Sequence, residues 1–209
     1  KWMVFGIPVS AWASIGLLLP FLDRYFISIY FSDFHTGQYS SIDEISKRIF
    51  SFIIFPFTMA LHPRLTKLWD ENRKEIVRNI LVKFISILFS FLAISAIFLT
   101  MFKLKFFSLI KIAIPSISEK SIDLIFPLVL SGIVWQISFL THKIIEFEKK
   151  TYLMTLLIIG SVIINISGNY FYLPTHGIII TAYISLISSS FYCLGTLLYS
   201  LKFLIRSKY

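Results

Sequence analysis

Cysteine, glycine and charge are all scarce in this chain. A single cysteine, Cys193, excludes an internal disulfide, and its place among Tyr192, Leu194 and Gly195 in an apolar run says nothing about redox compartment. Eight glycines and seven prolines in 209 residues form no flexible linker and no low-complexity tract. Charged residues make up 15% of the chain, against about 25% in soluble domains. The longest polar stretch, Thr66 to Asn79, is too short for a separate soluble domain. Catalytic signatures are lacking too: there is no HExxH, GxSxG, phosphate-binding Gly-rich loop or Asp-x-Asp pair, so chemistry on a covalent bond is not expected. His35, His142 and His176 lack the mutual spacing of a metal site, and no cofactor is expected. Asn165-Ile166-Ser167 matches a glycosylation acceptor but lies inside an apolar run, which makes the match fortuitous.

What the chain has in excess is apolar surface. Hydrophobic residues reach 56% with a mean hydropathy of +0.80, above the roughly 45–50% of soluble domains. Apolar runs recur near 2–31, 45–62, 77–102, 121–141, 152–172 and 177–201, each close to the roughly 20 residues a spanning helix needs. The expected fold is all-α: one polytopic bundle of about six transmembrane helices over residues 1–209. Alternating β-barrel segments are absent from the sequence, and unbroken apolar runs are satisfied in lipid only as helices. The chain opens at Lys1 with an apolar run almost at once and no cleavage site behind it, which reads as a truncated N-terminus.

The net charge of +9 belongs to residues flanking the spans, so no nucleic-acid partner is expected. With Lys1 cytoplasmic, the segments carrying Arg64, Lys67, Arg73, Lys74 and Arg78, then Lys143, Lys149 and Lys150, then Lys202, Arg206 and Lys208 are cytoplasmic as well. That places 12 of the 20 Lys and Arg inside and seven outside, an orientation the positive-inside rule favours, with a cytoplasmic C-terminus. Pro8, Pro20, Pro56 and Pro127 fall within spans and are expected to bend them. Ser32 to Glu44 reads as a loop, with Ser41 as N-cap of the second span and Asp43 and Glu44 in its first turn. Leu65 to Ile80 reads as an amphipathic interfacial helix with Trp69 at headgroup depth.

Asp23-Arg24 interrupts a run from Trp2 to Phe31 that is otherwise uncharged. A charge at bilayer depth costs about 2.5–3.5 kcal/mol on insertion scales, so such residues face a protein interior or a watery cavity and mark function by default. Adjacent helical residues project about 100° apart, so Asp23 and Arg24 need not pair with each other. Two placements fit Arg24: pointing into a cavity, where its planar fork suits a pyrophosphate, or snorkelling to headgroups. Lys47 and Arg48 follow Asp43 and Glu44 at i,i+4 spacing, which fits a solvated face of intrahelical pairs. If that helix lines the same cavity, Arg24, Lys47 and Arg48 form a cationic vestibule able to attract an anionic lipid headgroup.

Gly6-Ile7-Pro8, Leu22-Asp23-Arg24-Tyr25, Thr36-Gly37-Gln38-Tyr39-Ser40 and Pro63-Arg64-Leu65 with Lys67 and Trp69 together resemble the C-terminal half of Wzx-type polysaccharide (O-antigen) flippases. These belong to the MOP superfamily, with the lipid II flippase MurJ and the MATE antiporters. Beyond Arg78 only the hydropathy profile and loop polarity agree. The resemblance implies one lobe of a transporter of the bacterial inner membrane that flips undecaprenyl-pyrophosphate-linked oligosaccharide for lipopolysaccharide or capsule. The N-terminal lobe would be a missing partner, and membrane lipids and the polysaccharide polymerase machinery further ones. The substrate-binding candidates are Asp23, Arg24, Lys47 and Arg48. Arg24 would bind pyrophosphate, Asp23 would hold Arg24 or couple to a proton or sodium gradient, and Lys47 and Arg48 would guide the head. The alternatives are a MATE-like drug antiporter, which would favour acidic cavity residues, a pathway enzyme such as a polymerase, which would need long outer loops, and a non-transporting remnant or accessory subunit.

Overall fold

The computed structural model describes residues 2–205, with side chains from Gly6 onward. Lys1, Arg206 and Lys208, read above as cytoplasmic anchors, lie outside the described residues. The described chain is helical throughout its regular elements: α1 (Trp2–Tyr30), α2 (Asp33–Asp70), α3 (Lys74–Ala113), a 3₁₀ turn (Glu119–Leu124), α4 (Ile125–Thr141), the short α5 (Lys143–Phe147), α6 (Thr151–His176) and α7 (Ile178–Ile205). Six helical segments are long and apolar enough to cross a membrane, as expected for an all-α polytopic bundle.

Helix α4 is the axis. It carries no charged residue and is buried on nearly every side by α7, α2 and α3. Helix α1 stands at the other extreme, packed chiefly on α6, with Leu17, Phe21 and Tyr25 facing outward. The inside of the bundle also carries many polar side chains. Helix α6 buries Ser161, Asn165 and Asn169 on one stripe, and α7 buries Thr181, Ser188, Ser189, Thr196 and Ser200. In lipid the solvent is as apolar as leucine, so small and hydrogen-bonding residues, rather than large apolar ones, hold helices together. Close approach at the α6–α7 seam is visible at Gly195, where a Cβ would sit 2.6 Å from Leu157 Cδ2. The turn between these two helices rests on Gly177, whose φ of +74° suits only glycine without strain and whose N–H bonds the Leu173 carbonyl.

Three expectations are corrected. The stretch from Ser32 to Glu44 is helix rather than loop: α2 starts at Asp33, with Ser32 as N-cap. Burial explains it, because Tyr39 and Ile42, at i,i+3 spacing, both face the core and are fully covered. Gln38 fastens the same turn by donating to the Ser116 carbonyl and accepting from the Ser118 N–H. Nor is there a separate interfacial helix at 65–80. Helix α2 continues to Asp70, turns through Asn72 at φ 58°, and packs Leu65 and Leu68 against Val77, Leu81, Leu140 and Ile144. Trp69 stacks on Phe147 with ring centroids 5.1 Å apart. Finally, Pro127 is not an interior bend point; the helices continue through Pro8, Pro20 and Pro56, and the non-helical dihedrals inside a long helix fall at Phe102 of α3 (φ −121°, ψ 23°). Pro127 sits in the first turn of α4, where the missing N–H would have lacked a helical partner anyway.

At 1.5 Å per residue, α2 and α3 run about 57 and 60 Å, roughly twice the ~30 Å hydrocarbon core, so both extend past it. The ends of α2 and α7, the starts of α3 and α6, and α5 gather at one end of the bundle. Arg64, Lys67, Arg73, Lys74, Lys143, Lys149, Lys150 and Lys202 make this end basic. At the opposite end two lysines of α3 are paired, Lys103 with Asp123 and Lys111 with Glu119 at 3.2 Å.

Gly195→Val is expected to force α7 away from Leu157. Overpacking of this kind costs about 1–3 kcal/mol, and a lowered thermal midpoint of the detergent-solubilised protein would register it. An unchanged midpoint would mean that the α6–α7 seam is not set by this contact.

Candidate functional site

Four helices converge on the carboxylate of Asp23, which is fully buried. Helix α1 brings Asp23 to its inner face because Ile27, one turn on, is also buried in the core. Helix α2 brings Tyr39, whose hydroxyl donates to Oδ2 at 2.8 Å. Helix α6 brings Asn165 and Asn169 at i,i+4 spacing, whose amides donate to Oδ1 at 2.8 and 3.3 Å. From α7 the Ser185 hydroxyl donates to Oδ2. A carboxylate offers about four lone-pair sites, and four donors from three other helices occupy them. Asn169 also donates to Asn165 Oδ1 at 3.2 Å, while its own Oδ1 is buried with no partner.

A cavity of about 80 Å³ adjoins this centre, walled by Gly16 and Pro20 of α1, Lys47 of α2, Trp135 of α4, Asn165 of α6 and Ser185 of α7. At ~10–15 Å³ per water centre it has room for several waters. Lys47 supplies the favourable cationic field on Asp23, opposed by Asp43. Its ammonium lies 2.8 Å from Oδ2 and 2.7 Å from Oδ1 of Asp43, and Asp43 is almost fully buried.

Arg24 turns the other way. Its guanidinium donates to Glu44 Oε1 at 2.9 Å and lies over the Phe21 ring at 5.8 Å, and Arg48 meets the other oxygen of Glu44 at 3.2 Å. The expectation that Asp23 holds Arg24 is therefore corrected: the 100° between neighbours sends Asp23 into the core and Arg24 along the α1–α2 surface. The four predicted residues form two groups. Asp23 and Lys47 belong to the buried centre, whereas Arg24 and Arg48 share Glu44 at the periphery. The i,i+4 pairs predicted within α2 both form, but only Glu44–Arg48 is solvated. Asp23, Asp43 and Glu44 match Arg24, Lys47 and Arg48 in number, and Arg24 is not among the residues around the Lys47 cavity, so the condition for a cationic vestibule is not met.

Sequence reasoning missed Tyr39, Asn165, Asn169 and Ser185 as partners of Asp23. One signal was available: two asparagines at i,i+4 in an apolar span put two amides on one helical face, where lipid would leave them unsatisfied. Asn165 instead drew attention as part of a fortuitous acceptor triplet.

No protein-family model, curated protein or solved structure matches this chain. Its fold defines a class, a multi-pass α-helical membrane protein with a satisfied carboxylate buried inside one of its spans.

Tyr39→Phe is expected to cost about 1.5–3 kcal/mol, the usual worth of a hydrogen bond to a charged group. The same substitution in an Asp23→Asn background should cost markedly less. Equal losses in the two backgrounds, measured as thermal or denaturant stability in detergent, would show that Tyr39 does not act through the carboxylate.

Proposed function

We propose that this chain is one lobe of an alternating-access transporter of the bacterial inner membrane, with its basic end cytoplasmic. Its substrate would be undecaprenyl-pyrophosphate-linked oligosaccharide, as the likeness to Wzx-type flippases implies. The observation that carries a transport reading is the Asp23 centre. A buried intramembrane carboxylate is costly, and a centre whose donors come from α2, α6 and α7 changes energy whenever those helices shift relative to α1. Asp23 is the coupling group in this reading. The unpartnered Asn169 Oδ1 beside it is an oxygen available either to a proton carried on Asp23 or to a small cation. Arg24, a quarter exposed and at the rim of the α1–α2 face, is the residue suited to a pyrophosphate, with Arg48 beside it. A second lobe would cover the exposed face of α1, and the polymerase machinery would take up the delivered glycan.

A specific observation favours a second reading, a MATE-like antiporter for cationic compounds. The three cations are matched by three acids, two of them buried, so the region lacks the positive potential that would attract a pyrophosphate.

The test introduces variants into the native gene and measures surface glycan. Asp23→Asn is expected to abolish export, Arg24→Ala to reduce it at least tenfold, and Arg24→Lys to keep part of it. Intact export with Arg24→Ala, matched by Arg24→Lys, removes the pyrophosphate role. Intact export with Asp23→Asn removes the coupling role. Normal glycan combined with lost resistance to cationic dyes in the Asp23 variant selects the antiporter.

A further inference from the structure

At the basic end a second cavity, of about 610 Å³, opens between the end of α2, the start of α3, the α5–α6 connection and the last turns of α7. Its volume falls within the roughly 300–1,000 Å³ of small-molecule sites. Its wall alternates cations and aromatic rings. Lys74 lies over the Trp69 ring at 5.3 Å. Lys150 donates to Glu148 Oε2 and to Tyr199 Oη, both at 2.8 Å, and Tyr199 donates to the same carboxylate oxygen at 2.5 Å. Lys202 has no ion-pair partner among the described residues. Partial burial pushes the Glu148 carboxyl up, but the hydrogen bonds from Lys150 and Tyr199 prevail and hold it below the usual carboxylate range. The hydrogen bond to Glu148 in turn holds Lys150 above its ordinary value. Glu148 is thus ionised at neutral pH and offsets one lysine, leaving two positive charges uncompensated around the cavity.

A stripe of exposed apolar side chains runs along α7 from this cavity toward the middle of the bundle: Leu198, Leu194, Phe191 and Ile187. Their spacing of three or four residues puts them on one outward face, and Leu198 is itself part of the cavity wall. The opposite end has a counterpart cavity with a different balance, because its lysine, Lys103, is paired with Asp123.

We infer that the cavity bounded by Trp69, Lys74, Lys150, Tyr199 and Lys202 binds the phosphate of an anionic phospholipid whose acyl chain lies along the outward stripe of α7. The uncompensated lysines favour phosphate, the aromatic rings place the site at the depth where membrane interfaces sit, and the contiguous stripe distinguishes a lipid from a free anion. The site is separate from the Asp23 centre and from Arg24. Along α2 the distance from Glu44 to Trp69 is about 37 Å at 1.5 Å per residue. It therefore stands or falls independently of the transport reading.

The experiment is native mass spectrometry of the full chain released from nanodiscs of equal phosphatidylglycerol and phosphatidylcholine. Phosphatidylglycerol is expected to be retained at least tenfold over phosphatidylcholine. The Lys74→Gln, Lys150→Gln, Lys202→Gln triple variant should lose this preference about 100-fold in affinity, and Lys202→Gln alone about fivefold, at ~1 kcal/mol per lysine. The single change removes an exposed side chain without an ion-pair partner among the described residues, so it reads out even if the triple variant fails to fold. A control that neutralises Lys105, Lys111 and Lys120 at the opposite end removes equal charge and should keep the preference. Equal retention of the two lipids, loss of preference in the control as large as in the triple variant, or displacement of phosphatidylglycerol by millimolar inorganic phosphate would each overturn the assignment.

Discussion

A carboxylate that cannot reach water must find its hydrogen-bond donors in protein, and the arrangement of this bundle follows from how Asp23 finds them. Two oxygens accept from Tyr39, Asn165, Asn169 and Ser185, which belong to α2, α6 and α7. Much of the rest of helix α1 is exposed, and its extensive packing is on α6 alone. The carboxylate is thus the buried polar tie that joins α1 to three other helices at once. Breaking up such a centre exposes a charge to hydrocarbon, a far larger penalty than losing an apolar contact that lipid can replace.

Charge in the membrane-spanning part is sorted into layers. Asp23 sits at the core with donors only, Lys47 and Asp43 neutralise each other one step out, and Arg24, Glu44 and Arg48 form a chain at the surface of α1 and α2. Each layer has the partner its depth requires: neutral donors where no counter-ion fits, a close ion pair at intermediate burial, a shared carboxylate where water competes. The two ends of the bundle differ in the same terms. At the α3 end Lys103 and Lys111 are matched by acids from the 3₁₀ turn, whereas at the other end Lys74 and Lys150 lie over aromatic rings.

Much of the helical architecture was open to sequence reasoning because hydropathy is a local property. Six apolar runs of spanning length predict six spanning helices, and the structure has them. Their limits were harder to read. Residues 33–44 look like a loop by their Gly, Ser and Asp content, yet Gln38 and Tyr39 each have a partner in a distant segment, and those partners make the segment helical. The prolines look like bend points, yet one of them falls in a first turn, where its missing N–H costs nothing.

Sequence by itself marked Asp23 as a residue that needs partners, because with Arg24 it forms the one charged pair in an otherwise apolar run. It determined the i,i+4 pairs of α2 as well, since helical periodicity alone brings Asp43 to Lys47 and Glu44 to Arg48. Only the tertiary structure decided that Asp23 and Arg24 part company, and that the partners of Asp23 lie 16, 142, 146 and 162 residues away. The rotation of one helix about its axis, and the neighbours it then meets, depend on how all six pack together, and no stretch of sequence contains that information locally.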